Sequence, residues 1–345
     1  MPMHEAFMRE AIELSRCGFP APNPRVGCVI VKDKTVVGRG FCNLDGSDHA
    51  EVMALKDAGQ RAKGATAFVT LEPCNHTGKT PPCSLALVES GIQKVVFATK
   101  DPNGIAAGGA KFLSENGVEV EAGLVANLAA QVNGQFLFAM THRRPLVTVK
   151  VGMTLDGKIA LPNGESKWIT NEASRADAMR LRAEIGCVLV GRVTAEVDEA
   201  RLNIRGLDGV NQPLRVVIDP LGVLAQDLPI FDKSAPTLHL TNQTSSGAPL
   251  DVLKAIWEKN QTGVLVEGGA TTIGHFFQSN LVDQIVLYVS PKVFGEGKSW
   301  AGPFGLQGIE DSPSYEIVCS EIIDGDLKLL VRSRNLQEWF TSYNM

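Results

Sequence analysis

The sequence predicts an α/β protein of two domains, and three observations carry that expectation. The chain has 345 residues, and at roughly 150 residues per domain this length suits two cores. Short apolar runs of strand character alternate with segments of helical periodicity throughout, the pattern of sheets covered by helices on both faces. Near the middle, the apolar stretch 136–140 gives way to Thr141-His142-Arg143-Arg144-Pro145, after which the alternation restarts. We place the boundary there, with a first domain over 1–144 and a second over 145–345.

The elements of the first half follow in order. Residues 4–16 repeat Phe7, Ala11 and Leu14 at helical spacing, and Cys17-Gly18 ends that helix before the prolines at 20, 22 and 24. Residues 26–31 read as a buried strand that pairs with 36–41 across Lys32-Asp33-Lys34. A helix is expected over 49–58, a strand over 67–71, a helix over 83–90 stopped by Gly91, a strand over 94–98 and a helix over 108–117.

In the second half, 146–151 is a strand. Leu155-Asp156-Gly157-Lys158-Ile159 reads as strand, tight turn, strand, because Asp-Gly suits a hairpin. Residues 171–184 form a helix capped by Thr170, with Glu172 in its first turn and Gly186 as its stop. Strands follow at 187–191, 214–219 and 237–241, then a helix over 250–259. A strand at 263–266 leads through Glu267-Gly268-Gly269 into a helix over 270–278. Strands at 284–290 and 327–332 complete a second sheet.

Composition narrows the function classes. The net charge of −5 argues against tracking a nucleic-acid backbone, which needs a basic surface. Seven scattered cysteines suit reduced thiols and a cytoplasmic location rather than a disulfide framework. The charged N-terminus is not a signal peptide, and no apolar run reaches the ~20 residues a membrane helix needs.

The chemistry concentrates between His49 and Cys83. The run reads His49-Ala50-Glu51, then E-P-C-N-H-T-G-K-T-P-P-C from Glu72 to Cys83. A His, a Glu two residues on, and a later Pro-Cys with a second Cys form the signature of a zinc deaminase. His49, Cys74 and Cys83 supply three zinc ligands and leave a fourth position for water. The metal makes hydroxide available near neutral pH, and Glu51, not a ligand, moves protons to the ring nitrogen and the departing ammonia. Two residues apart on a helix do not face one way, so His49 and Glu51 suit a helix start.

Other positions stay open on residue type alone. Asn23, in P-N-P-R-V-G, is either a turn asparagine or a side-chain amide reading a heterocycle edge. His76 and Lys79 are solvated loop residues unless the substrate carries a phosphate. Glu267-Gly268-Gly269 before a helix is either a plain connection or a phosphate cradle. Arg182 and Arg205 read equally as surface charges.

The first-half motifs, His49-Ala50-Glu51 with T-L-E-P-C-N-H-T-G-K-T-P-P-C and the upstream N-P-R-V-G, closely resemble a known deaminase domain. It belongs to the bifunctional riboflavin-biosynthesis family, diaminohydroxyphosphoribosylaminopyrimidine deaminase / 5-amino-6-(5-phosphoribosylamino)uracil reductase. In the second half, V-K-V-G-M-T-L-D-G-K-I-A, G-E-S-K-W-I-T, V-L-V-G-R-V-T-A-E-V-D and V-L-V-E-G-G-A resemble the reductase domain in the same order. The resemblance runs from about residue 7 to about residue 330. It implies a cytidine-deaminase-like fold followed by a dihydrofolate-reductase-like one. It implies one Zn²⁺ per chain on His49, Cys74 and Cys83, Glu51 as proton donor, and Asn23 and His76 at the substrate. It implies NADPH on Gly152, Trp168, Thr194, Asp198, Gly269, Ala270, Thr271, Thr272, Ile273, Gly274 and His275. Ser166, Arg182, Leu202, Arg205 and Glu267 would meet the phosphoribosylamino substrate, the two arginines as phosphate clamps.

The implied reactions are hydrolytic deamination of 2,5-diamino-6-(5-phosphoribosylamino)pyrimidin-4(3H)-one and NADPH reduction of its ribosyl group to ribityl. The resemblance also implies a homo-oligomer, with no nucleic-acid or membrane partner. Cys42 stands where the family usually has His, and Asp48 where it has Pro. The segments 104–110 and Glu199-Ala200 also depart from the pattern.

Overall fold

The computed structural model describes residues 3–44, 46–77 and 81–342. It divides into two compact units: one runs to Arg143 and resumes at Trp339, the other is Arg144–Glu338.

The first unit begins with α1 (Met3–Ser15), β1 (Gly27–Lys32), β2 (Thr35–Phe41), α2 (Ala50–Ala58) and β3 (Thr66–Leu71). It continues through α3 (Cys83–Glu89), β4 (Lys94–Thr99), α4 (Gly109–Glu115), β5 (Glu119–Ala122), α5 (Ala126–Val132) and α6 (Gly134–His142). The sheet order is β2-β1-β3-β4-β5; β1 is antiparallel to both neighbours, and β3, β4 and β5 run parallel. The central strands β1, β3 and β4 read as nearly unbroken apolar runs because both faces are buried, while the edge strands β2 and β5 are partly exposed. Cys28, Ile30, Val69, Val95 and Phe97 meet α2, α3 and α4 on one side. Their sequence neighbours Val29, Val31, Phe68 and Val96 meet α1 and α5 on the other.

The second unit holds β6 (Leu146–Thr154), β7 (Lys158–Ala160), α7 (Glu172–Ile185), β8 (Cys187–Gly191), α8 (Arg192–Val197), β9 (Leu214–Ile218), β10 (Thr237–Leu240) and α9 (Pro249–Trp257). Then come β11 (Gly263–Val266), α10 (Ala270–Gln278), β12 (Gln284–Ser290), β13 (Lys298–Ser299), β14 (Tyr315–Ile323), β15 (Asp326–Ser333) and α11 (Arg334–Ser342), whose residues from Trp339 on belong to the first unit. Its eight-stranded sheet has the order β10-β9-β8-β11-β6-β12-β15-β14. The six strands from β10 to β12 are parallel, and β15 and β14 extend the sheet antiparallel. In such a sheet ligands gather outside the carboxyl ends of the strands.

Several expectations shift. The 155–159 turn forms, with Gly157 at φ 77°, but β7 does not pair with β6. It pairs with β13, because Asp156 accepts the N–H groups of Phe294 and Gly295 and draws that segment in. The cap of α7 is Asn171, not Thr170: Asn171 is extended and its Oδ1 accepts the Ser174 N–H at 2.8 Å. The chain from Trp339 was expected with 145–345, yet it packs with the first unit. The Trp339 ring lies edge-on to Phe138 and His142, at 5.9 and 5.8 Å. Among the described residues no helix is long and apolar enough to cross a membrane.

Candidate active sites

In the first unit, α2 and α3 bring the ligand-type residues together. His49 is the N-cap of α2, in extended conformation, and its side chain makes no cap bond. Its ring is turned to the thiols instead: Nδ1 lies 3.2 Å from Cys83 Sγ and 3.6 Å from Cys74 Sγ. Cys74 stands just beyond β3, and Cys83 opens α3 with its N–H directed at Cys74 Sγ, 3.5 Å away. Zn–N near 2.0–2.1 Å and Zn–S near 2.3 Å place the ligand atoms of a tetrahedral zinc about 3.5–3.8 Å apart. The three atoms, all within 4.8 Å of one another, fit that ion.

The electrostatics agree. The Cys83 thiol, donating to Cys74, pulls the Cys74 thiol down to about 4, with His49 adding to the effect; Cys83 is correspondingly pushed up. A cation binding there displaces the remaining thiol proton. Glu51, in the first turn of α2, is 4 % exposed. Burial, then the Cys74 charge, pushes its carboxyl up to about 7, the range a proton shuttle needs.

Glu72 and Gly109 brace this loop. Glu72 accepts the N–H groups of Gly108, Ala110 and Asp101, tying the end of β3 to the 101–110 segment. Gly109 lies so close to Pro73 that a Cβ there would sit 1.8 Å from the Pro73 carbonyl oxygen. Asn75 Oδ1 accepts the Ser84 hydroxyl at 2.8 Å, joining the two cysteine segments. A cavity of about 330 Å³ opens over the thiols, lined by Asn23, Cys42, His49, Glu51, Cys74, His76, Asp101 and Asn103. His76 Nδ1 is buried with no partner among the described residues, as befits a group that meets a ligand. Burial raises the Asp101 carboxyl to about 6. Lys79 lies outside the described residues.

The second unit carries a larger cavity, about 1060 Å³, along the carboxyl ends of β6, β11, β8 and β9. Gly152, Ser166, Trp168, Thr194, Asp198, Glu267, Gly269, Ala270, Thr271, Thr272, Ile273 and His275 all line it. Gly269 caps the nine-residue α10, whose free N–H groups open onto the cavity. Gly191 admits this helix, since a Cβ there would meet Thr272 Oγ1 at 2.4 Å.

Four of the expected residues do not line the cavity. Gly274 packs against the backbone of Gly302. Leu202 is buried among Val190, Val217 and Leu265. Arg205 is exposed. Arg182, 9 % exposed, is engaged inward: Nε and Nη2 hold both Glu267 oxygens at 2.5 and 2.8 Å, and Nη1 donates to the Asn203 carbonyl at 2.9 Å.

Residue reasoning missed Lys150, which lines the cavity and reaches Glu267 at 2.9 Å. Its signal was a lone cation within an otherwise apolar strand. Arg175, stacked 4.5 Å over the Trp168 ring, was missed too. Burial alone would raise the Glu267 carboxyl, but Arg182 and Lys150 hold it well below the usual carboxylate range. One carboxylate between two cations leaves the pocket positive, which suits an anionic ligand.

Comparison with known proteins matches both domains. The model for the cytidine and deoxycytidylate deaminase zinc-binding region matches residues 1–99, and that for the RibD C-terminal domain matches 145–329. The riboflavin biosynthesis protein RibD of Aquifex aeolicus is 40% identical over 327 residues, covering 89% of this chain and 92% of its own. The structure of Acinetobacter baumannii RibD superposes with a TM-score of 0.87 at 37% identity, over 96% of this chain and 99% of that one. A diaminohydroxyphosphoribosylaminopyrimidine deaminase / 5-amino-6-(5-phosphoribosylamino)uracil reductase from Thermotoga maritima gives 0.86 at 34% identity, with the same coverage. With its zinc-type ligand cluster in one unit and its strand-end cavity in the other, this chain belongs to the RibD family, bifunctional riboflavin-biosynthesis enzymes that join a deaminase domain to a reductase domain.

Proposed function

We propose that the first cavity deaminates 2,5-diamino-6-(5-phosphoribosylamino)pyrimidin-4(3H)-one and that the second reduces the product with NADPH. The observation that carries the reading is the convergence of His49, Cys74 and Cys83 beside a buried Glu51, with His49, Glu51 and Cys74 lining one cavity. A zinc ion held by these three residues supplies a Lewis-acid place for water at neutral pH. Glu51 takes a proton from the attacking water, gives it to the ring nitrogen and carries another to the departing ammonia. Asn23 and His76 would face the heterocycle from the cavity wall, His76 through an Nδ1 that has no partner among the described residues.

In the reductase cavity, the N–H groups at the start of α10, from Gly269 to Thr272, would hold the diphosphate of NADPH. Gly152, Trp168, Thr194, Asp198, Ile273 and His275 line the same cavity and would hold the rest of the dinucleotide. Bound there it would supply hydride to C1 of the open-chain ribose, which Ser166, Lys150 and Glu267 would hold. Arg182 enters this reading as the support of Glu267, since its guanidinium is engaged there. Arg205, exposed, keeps the role of phosphate clamp, and Leu202 shapes the loop that carries it. Seven free cysteines support a cytoplasmic protein. A homo-oligomer is supported by the exposed edge strand β14, with Ile317 and Ile322 uncovered, and sedimentation velocity measures it.

The test follows ammonia release and NADPH oxidation together, on zinc-loaded protein with the diaminopyrimidine substrate. Ammonia first, then NADPH loss in equal amount, is expected. Turnover of cytidine or guanine, with none of the phosphoribosyl compound, would sink the reading.

A further inference from the structure

We propose that Trp339 and Phe340, at the far end of the chain, are positioning residues of the deaminase cavity. Neither touches the cavity. Both are built into the wall behind it. Phe340 is 3 % exposed, and its ring lies against Gly134 so closely that a Cβ there would come within 2.3 Å of Phe340 Cζ. Trp339 packs against the buried cluster that contains Phe136 and Leu137. Gly134 opens α6, and one cavity contact and one indirect tie to the cavity depart from that point. Phe136, two residues on, lines the cavity itself. Asn133, the residue before Gly134, is 5 % exposed and accepts the backbone N–H of Arg25 at 3.1 Å.

That last bond is the link to substrate. Arg25 directly follows the segment whose Pro20, Asn23 and Pro24 line the cavity. The segment has a local tie, the Asn23 N–H to the Pro20 carbonyl at 2.9 Å. The Asn133 bond anchors its far end to α6 across 108 positions of sequence. Interiors are close-packed and transmit displacement. Removing the Phe340 ring leaves a void behind Gly134, and α6 relaxes into it. Asn133 then withdraws from Arg25, and Asn23 loses its fixed place.

The test uses the full-length chain with Phe340→Ala, Phe340→Leu, Gly134→Ala and the double variant Gly134→Ala/Phe340→Ala. The first readout is amide hydrogen exchange in peptides covering residues 19–26, which needs no substrate. Phe340→Ala should speed exchange at Arg25 by roughly tenfold, and Phe340→Leu should restore it. The second readout rests on the deaminase reading. KM for the pyrimidine should rise roughly tenfold while kcat stays within about twofold, as for lost uniform binding, with zinc content and reductase activity unchanged. The methyl of Gly134→Ala occupies the space of the ring, so in the double variant it fills the vacated site and the effects do not add. Unchanged exchange at Arg25 in Phe340→Ala overturns the proposal. So do additive effects in the double variant, or an equal fall of both activities. If the wild-type protein leaves the pyrimidine untouched, the deaminase reading fails, and exchange at Arg25 still decides this proposal.

Discussion

The two sites of this chain are built in opposite ways. The zinc-type cluster is local: His49 and Cys83 lie 34 positions apart, one capping α2 and the other opening α3. The reductase cavity is distributed: its lining runs from Lys150 on β6 through Gly191 at the end of β8 and Glu267 just beyond β11 to Trp300. A metal site needs a few atoms at fixed distances, and two helix starts beside one strand end deliver them. A dinucleotide cavity needs length, so it draws on the ends of many strands. The first kind of site should fail at single atoms, the second through its supports.

The largest expected effect tests the first half of that contrast. Glu51→Gln keeps shape and burial but removes the proton shuttle. Deamination should fall by about 10²–10⁴-fold, with zinc content unchanged and NADPH oxidation unchanged when the deaminated compound is supplied directly. Loss of both activities together would mean that the sites are not separable.

The next tests the distributed site. Arg182→Ala leaves Glu267 buried with Lys150 as its remaining cation. Breaking a buried pair on one side costs about 3–5 kcal/mol, so chemical denaturation of the reductase unit should come markedly earlier while zinc stays bound. Linkage gives the sign with pH. The native Glu267 pKa is depressed, so its contribution is fully present above the unfolded value of about 4.3 and is lost as pH falls below that towards the native one. Wild type should therefore outlast Arg182→Ala by a margin that persists at pH 5 and shrinks at lower pH. A margin that grows on acidification would contradict the pairing.

The same contrast explains what could be read from sequence. His49, Glu51, Cys74 and Cys83 were legible from residue type and spacing because zinc chemistry restricts both, and because local segments carry all four. Central strands such as β1, β3, β4, β8 and β11 were legible as apolar runs, since both of their faces are buried, whereas the exposed edge strands β5 and β14 were not expected. Lys150 was not legible. Its meaning depends on Glu267, a partner brought in by β11 pairing beside β6. Arg182 read as a surface charge on residue type and became a phosphate clamp only through the resemblance, because nothing in its own helix reveals that it points inward. The pairing of β7 with β13 and the return of Trp339 to the first unit depend on long-range contacts that a local pattern does not encode. Gly109 fell at the start of the helix expected over 108–117, and nothing local showed that the Pro73 carbonyl leaves it no room for a side chain.

Gly109→Ala sharpens the comparison, because it attacks the local site through a support. The Pro73–Cys74 backbone must move to admit the methyl. Supports of metal ligands typically matter by about 10–100-fold in affinity, and zinc competition with a chelator should read a loss in that range. Wild-type affinity in Gly109→Ala would mean that the ligands hold their own geometry.

The smallest effect separates two helix caps. Asn171 and His49 occupy the same position on α7 and α2, the first residue before the helix. Asn171 is a structural cap: its Oδ1 takes the Ser174 N–H, and its Nδ2 donates to the carbonyls of Ile323 and Asp324, both at 2.8 Å. Asn171→Ala should cost the reductase unit about 0.5–2 kcal/mol, against less for Thr170→Ala. His49 makes no cap bond because its ring serves the thiols. His49→Asn should therefore abolish tight zinc binding and, in metal-free protein, raise stability by a few tenths of a kcal/mol up to about 1. A cap position given over to a ligand forgoes stability that any asparagine would supply, and that gain in the metal-free protein, read by urea denaturation, is the signature of a residue placed for its chemistry. Destabilisation of the metal-free protein by His49→Asn would mean instead that the imidazole holds the helix start through its own packing.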